Sequence, residues 1–266
     1  MLTKKSIGIA FVTALALGAS GAALATPMTV GGVTWDPSSG FDLKIQALDL
    51  RETSIAKMGD VLTGYGKIGS INSTDQTTFC PGCELTFTFS YTVSNVSGQQ
   101  VVLDNGTLNF YVGAPGGFDE ANPPTASLGT PWLTLTGHTN PFIGFATVGQ
   151  LYSTVVGPVS APQEGSSGHG LLDATGGIAM PFVDTNTQVD GADFFLSSGF
   201  SFDPFSLCTA PTTDLDNICT YPIVGTGTLS GKSVTSIPEP GEIGLLGLGL
   251  GALALLIRRR RKETEE

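Results

Sequence analysis

The residues with the clearest catalytic chemistry are two histidines and the polar side chains around one of them. His138 lies in Gly-His-Thr, while His169 lies between Ser166 and Asp173. A serine hydrolase uses these three residue types as nucleophile, base and orienting acid. Its serine commonly lies in Gly-x-Ser-x-Gly on a sharp turn, and residues 165–168 lack that spacing. We therefore expect both histidines to be loop residues with ordinary hydrogen bonds, and we expect no catalytic residue.

A second candidate site is the segment 184–191, where oxygen-bearing side chains recur at every second position before a glycine. Calcium loops often have this pattern, and Asp184, Asn186 and Asp190 would be the ligands. The segment is not an EF-hand, because Phe195 stands where that loop has its bidentate glutamate. A solvated turn is the alternative to a calcium site. We expect no other cofactor.

Four cysteines occur in two pairs that are close in sequence, Cys80 with Cys83 and Cys208 with Cys219. In an exported protein this spacing favours two local disulfides, although pairing between the two regions remains an alternative. The Cys-Pro-Gly-Cys motif also has the spacing of a redox centre. Such centres begin a helix in a βαβ unit, whereas a strand pattern follows Cys83 here, so a structural role is the better interpretation.

The clearest element that could position these groups is a strand over 85–94, where apolar and hydroxyl residues alternate without a break. Its apolar face contains Leu85, Phe87, Phe89, Tyr91 and Val93. Leu108, Phe110 and Val112 repeat the pattern after an expected Asn105-Gly106 turn, so the two runs predict a hairpin or neighbouring strands across Ser97-Gly98. Further strands are predicted over 132–136, 143–148, 151–156, 194–197, 200–202 and 226–229.

These short strands predict one antiparallel β-sandwich domain, Ig-like or jelly-roll, over residues 26–236. The segment 41–57 fits either a helix or a strand, and we favour a strand. The segments 115–124 and 158–170 are predicted to be long surface loops, because strands resume after each of them. The fold class we expect is therefore all-β, followed by a single-pass membrane helix at the C-terminus.

The charge balance of this domain excludes one class of partner. Residues 26–236 contain five basic and 18 acidic side chains, and no Lys or Arg lies between residues 68 and 231. A surface with this excess of negative charge repels the phosphates of nucleic acids. Nucleic-acid binding is therefore not expected.

The N-terminus has the three-part order of a secretory signal peptide. Lys4 and Lys5 precede an apolar stretch over 7–19, and the small residues Ala23-Leu24-Ala25 follow. We expect cleavage after Ala25, so that residues 1–25 are removed. The protein is then exported across the inner membrane.

The C-terminus has three unlike elements in a fixed order. Pro238-Glu239-Pro240 comes first, and an uncharged apolar run over 243–257 follows. A basic cluster ends the order: Arg258, Arg259, Arg260, Arg261 and Lys262. The apolar run predicts a short membrane helix, and the basic cluster should hold residues 263–266 in the cytoplasm.

This arrangement resembles the PEP-CTERM sorting signal of bacteria that make extracellular polysaccharide. The resemblance covers residues 237–262 together with the signal peptide. It implies that Pro238, Glu239 and Pro240 form the recognition motif of an exosortase, a membrane-embedded cysteine transpeptidase that cuts near them. It also implies that Arg258 to Lys262 form the stop-transfer cluster, and that the mature protein reaches the cell surface or the extracellular matrix.

The sequence leaves three functions open for the exported domain. The first is a structural or adhesive role in the matrix, without an active site. The second is carbohydrate binding, with calcium as an optional aid, in which Trp132, Tyr152 or Phe118 stacks on sugar rings of an extracellular polysaccharide. The third is a secreted hydrolase with paired carboxylates, which would leave no recognisable spacing in the sequence.

Overall fold

The longest hairpin of the protein follows from the unbroken alternation of apolar residues. The computed structural model describes residues 26–139, 150–203, 220–234 and 249. In it, strands β6 (Glu84–Ser97) and β7 (Gln100–Gly113) pair antiparallel, with Gly98 at a φ of +62° in the connection. The predicted apolar face of β6 points inward, as expected: Leu85, Phe87, Tyr91 and Val93 are buried and Phe89 is partly buried.

The remaining elements are short strands and a single turn of helix. The other strands are β1 (Met28–Val30), β2 (Val33–Trp35), β3 (Lys44–Glu52), β4 (Val61–Ile71), β5 (Thr74–Asp75), β8 (Thr130–His138), β9 (Leu151–Thr154), β10 (Ser166–Gly176), β11 (Phe194–Phe202) and β12 (Ile223–Ser230). Helix α1 spans Gln76–Phe79, and 3-10 turns span Pro123–Ser127, Met180–Phe182 and Val189–Gly191. The segment 44–52 is therefore a strand, as favoured.

The strands close into a barrel of eight antiparallel positions. Strands that follow one another in the chain are neighbours in the order β3, β4, β6, β7, β8, β10, β11, β12, and β12 pairs back with β3. The short β9 occupies the same position in the ring as β8, because both strands pair with β7 and with β10. β5 pairs only with the end of β4.

The predicted two-sheet sandwich is therefore wrong. β11 pairs with β10 on one side and with β12 on the other, so the ring of described strands has no free edge at which two layers would separate. Alternation along a strand separates inward from outward side chains in a sandwich and in a barrel alike. The pairing of β12 with β3 distinguishes the barrel from the sandwich, and no local sequence pattern predicts this pairing.

Two local predictions also need correction. Asn105 and Gly106 form a bulge inside β7 and not a turn. Ser90 and Thr92 of β6 pair with Thr107 and Asp104, so these two residues of β7 face Tyr91 alone and β7 has one extra residue. The segment 158–170 is a loop only up to its last residues, because β10 begins at Ser166.

One end of the barrel, the lower rim, is where β3 begins and β12 ends, and it is closed by the N-terminal hairpin of β1 and β2. Trp35 of β2 packs edge-on against Trp132, at 6.0 Å between ring centres. The Trp132 indole N–H donates to the Val30 carbonyl at 2.9 Å. A disulfide joins Cys80 to Cys83 at this end, as the local pairing predicted. The opposite end is called the upper rim below.

Some expectations fall on residues that the structure does not describe. These include the signal peptide, the strand predicted over 143–148, the second cysteine pair and nearly all of the apolar run over 243–257. Among the described residues, no helix has the length and the apolar character to cross a membrane.

Candidate functional site

The barrel encloses a cavity of about 110 Å³. Inward side chains of β3, β4, β6, β7, β11 and β12 line it, and nearly all of them are aliphatic or aromatic. An eight-stranded barrel has an interior that side chains can just fill, or that can hold one small ligand. Among the described residues that line this cavity there is no Lys or Arg, so its walls offer no positive charge.

Among the described residues that line the cavity, Glu52 has the one carboxyl group. It lies at the end of β3, where its neighbour Arg51 points outward and forms an ion pair with Glu120 at 2.6 Å. Glu52 is 6% exposed, and its carboxyl has no hydrogen-bond or ion-pair partner among the described residues. Burial raises the pKa of this carboxyl to about 8. The group is therefore mostly protonated at neutral pH, and it can donate a hydrogen bond as well as accept one.

Tyr91 of β6 is a further polar residue that lines the cavity. Its side chain is 2% exposed, and its hydroxyl has no hydrogen-bond partner among the described residues. Burial raises the pKa of this hydroxyl above its usual range, so the group stays neutral. A buried hydroxyl without a partner is uncommon in folded proteins and costs about 1–3 kcal/mol. The cavity therefore contains unused hydrogen-bonding capacity at two places.

The cavity extends to the upper rim, where the loop between β9 and β10 covers it. Val155, Val159 and Pro162 of this loop line the cavity. The loop is held by backbone hydrogen bonds from Gln163 N–H to the Val156 carbonyl and from Phe202 N–H to the Pro162 carbonyl. The loop closes this end of the cavity.

Comparison with known proteins found no relative of this chain. No protein-family model, curated protein or solved structure matches the chain. The chemistry of the site is therefore argued from its own residues.

The serine, histidine and aspartate of the hydrolase hypothesis do not come together. The Ser166 hydroxyl is buried and donates to the Gln163 carbonyl at 2.7 Å, which fixes the loop before β10. Asp173 pairs with His138, at 2.9 Å from Nδ1, and not with His169. His169 instead contacts the ring of Tyr152. These residues do not form a triad. The expectation that both histidines lie in loops is wrong, because His138 ends β8 and His169 lies within β10.

The proposed calcium ligands lie in an exposed loop with its own hydrogen bonds. The Asn186 amide donates to Asp184 at 3.2 Å, while Asp190 lies 3.7 Å from Nε2 of His138. The buried Asp193 carboxylate holds this loop by accepting hydrogen bonds from the backbone N–H groups of Ala174, Thr185 and Asn186. Among the described residues, no three His, Cys, Asp or Glu side chains are grouped so as to hold a metal ion.

The three aromatic residues considered for sugar stacking have different surroundings. Trp132 is fully buried, and Phe118 lies in the loop that packs on the ring of Tyr65. Tyr152 is half-buried on the outer face of β9. Its ring centre lies 5.1 Å from that of His169 on β10, which lies 6.4 Å from that of Phe195 on β11. We call Tyr152, His169 and Phe195 the outer aromatic strip.

Several predicted site residues lie outside the described part of the chain. They are the cleavage residue Ala25, the motif Pro238-Glu239-Pro240, the cluster Arg258 to Lys262, and the pair Cys208 and Cys219. Their roles remain predictions from the sequence.

Sequence reasoning missed Glu52 as a site residue, and the structure explains why. The pairing of β3 with β4 shifts register between Ala47 and Asp49, which leaves Leu48 60% exposed and reverses the alternation after it. Ile45 and Ala47 point inward before the shift, and Leu50 and Glu52 point inward after it. If the alternation continued unbroken from Ile45, Glu52 would lie on the outer face.

Proposed function

We propose that the protein is an exported surface or matrix protein that is sorted through its C-terminal tail and has a non-enzymatic, structural or adhesive role. The observation that carries this proposal is the fixed order of Pro238-Glu239-Pro240, the apolar run and the basic cluster, together with the N-terminal signal. An exosortase-type transpeptidase would be the processing enzyme.

Two features of the described barrel are consistent with such a role. The closed sheet leaves no unpaired strand edge in the ring, which protects an exported domain against edge-to-edge aggregation. The three residues of the conceivable hydrolase triad serve other contacts. A stable module of this kind can present its loops and outer faces to matrix components.

The proposal is tested by intact mass spectrometry of the protein recovered from native envelope and culture fractions. A mature C-terminus near residues 238–241 is the expected result. The double variant Glu239→Ala, Pro240→Ala should then accumulate in its uncleaved form, while Glu242→Ala, outside the motif, should be processed normally. If Glu266 is present in every fraction of the native protein, the sorting hypothesis is wrong.

A second candidate function, binding of an extracellular polysaccharide, is favoured by the outer aromatic strip. Aromatic rings in a row on the outer face of a sheet offer a platform on which the apolar faces of sugars can stack. Phe195 is 39% exposed, and burial lowers the pKa of His169, so the strip is uncharged at neutral pH.

A glycan array probed with the full chain tests this second function. Binding that is lost in Phe195→Ala and kept in Phe41→Ala would support it, because Phe41 is a phenylalanine with 59% exposure elsewhere on the surface. Equal loss in both variants, or no binding to any glycan, would exclude the strip as a sugar site.

A further inference from the structure

The barrel cavity combines an apolar wall with two polar groups whose hydrogen bonds are not satisfied. Among the described residues, only two fully buried side-chain atoms have no hydrogen-bond partner, the indole nitrogen of Trp35 and the hydroxyl of Tyr91. Trp35 belongs to the closure of the lower rim. Tyr91 instead faces the cavity that Glu52 also lines.

The surroundings of Tyr91 show that its position is built into the barrel. Its ring lies against Gly106 of the β7 bulge, where any Cβ would overlap the ring. Gly64 and Gly66 of β4 make similar room for the rings of Phe89 and Phe87. Small residues thus allow three large rings to lie side by side along one wall of the interior.

The size and polarity of the cavity define the chemistry that fits it. An engineered cavity of about 150 Å³ with a similar apolar lining binds benzene. A cavity of about 110 Å³ is of the same order, so its ligand is no larger than one six-membered ring with a single small substituent. A charged ligand would lose its hydration against apolar walls, and an anion would find no Lys or Arg among the described lining residues.

We propose that the barrel cavity is a binding site for a small, uncharged, largely apolar molecule with one hydroxyl group, which hydrogen-bonds with Glu52 and Tyr91. Both side chains can donate and accept in their neutral forms, and a hydroxyl group has the same dual capacity. The site does not depend on the sorting tail, so its test is independent of the test of the proposed function.

The proposal is tested on the full chain with phenol and benzene as a matched pair of probes. The two molecules have nearly the same shape, and only phenol can hydrogen-bond. We expect phenol to bind saturably at millimolar concentration, and about tenfold more tightly than benzene, which corresponds to one good hydrogen bond. Calorimetry measures both affinities, and competition by phenol against benzene shows that the site is shared.

Two tyrosine variants assign the hydroxyl contact. Tyr91→Phe should bring the affinity for phenol close to that for benzene. Tyr65→Phe is the control, because the Tyr65 hydroxyl lies on the outer face and donates to the Glu120 carbonyl at 2.8 Å. Its affinity for phenol should be unchanged. Glu52→Gln should retain binding, since the amide also donates and accepts, while Glu52→Leu should weaken it.

Two outcomes would overturn the proposal. One is the absence of saturable binding of phenol up to its solubility limit. The other is equal binding of phenol and benzene by the unmodified protein, because the polar groups would then play no part. This comparison needs no variant, so it decides the question even if a substitution prevents folding.

Discussion

The ring of Tyr91 in β6 lies over Gly106 in β7, at the bulge where two residues of β7 face one residue of β6. The bulge and the glycine together create the space that the ring fills. Asn105, just before the glycine, has a φ of +52°, a conformation that asparagine tolerates better than most residues. An aromatic side chain with a hydroxyl is thereby placed in the interior of the barrel.

Replacing Gly106 with alanine should destabilise the protein by about 3 kcal/mol, because the new methyl group overlaps the Tyr91 ring within a packed core. Urea denaturation followed by circular dichroism measures the loss. Gly113→Ala at the end of β7 is the control, since the nearest atom to its Cβ lies 4.0 Å away and the change should stay within about 0.5 kcal/mol. Equal effects of the two variants would contradict the packing described here.

The pH dependence of stability should report the Glu52 carboxyl. Its pKa is about 8 in the folded protein against an ordinary value of 4.5, so the folded state binds one more proton between these values. Stability is then full below pH 4.5 and falls as pH rises towards 8, by at most about 5 kcal/mol. Glu52→Gln should remove this fall.

The comparison must be made between the two proteins at each pH, because His169 titrates in the same window. Burial lowers the pKa of His169, so its contribution to stability is lost as pH falls, which is the opposite direction. Subtracting the curve of Glu52→Gln leaves the carboxyl alone. A difference that does not vary between pH 5 and 8 would show that Glu52 is not buried in its neutral form.

Asp193→Asn should destabilise the protein by about 2–3 kcal/mol. The Asp193 carboxylate is 2% exposed and accepts three backbone N–H groups, at 2.6 to 2.8 Å. An amide nitrogen in place of one oxygen cannot accept, which leaves at least one N–H without a partner. Thermal denaturation should separate this variant from Asp190→Asn, which changes an exposed carboxylate in the same loop and should have little effect.

Calcium at millimolar concentration should leave the melting temperature unchanged. The carboxylate oxygens of Asp193 are occupied by backbone donors, and the Asn186 amide is turned towards Asp184. Differential scanning calorimetry with calcium, and then with a chelator, makes the comparison. A rise with calcium that disappears in Asp184→Asn would restore the calcium loop as a site.

Local sequence was sufficient to predict strands and insufficient to predict how they close. The alternation in β6 predicts its inward face from Leu85 to Val93 residue by residue, because β6 itself has no extra residue before Ser94. In β3 the register shift beside Leu48 reverses the alternation, so Glu52 could not be placed on the inner face. The pairing of β12 with β3 joins the two ends of the domain. It depends on complementarity between distant segments, which no local pattern records.

The candidate site was hidden for the same reason. Tyr91 was placed on an apolar face, where a tyrosine is ordinarily a core residue with its hydroxyl at the surface or hydrogen-bonded. That its hydroxyl lacks a partner is a property of the closed barrel. By contrast, the disulfide between Cys80 and Cys83 was predictable because both cysteines lie within one turn of chain.

Because the ring has an even number of antiparallel strands, its first strand begins at the same rim at which its last strand ends. The chain enters β3 and leaves β12 at the same rim, where Leu43 and Gly231 exchange two backbone hydrogen bonds and the Ser233 hydroxyl donates to Asp42 at 2.7 Å. Anything joined to the chain beyond Val234 therefore pulls on the rim that the N-terminal hairpin closes. The cavity reaches the far rim, so tethering through the C-terminal side leaves the loop that covers the cavity free.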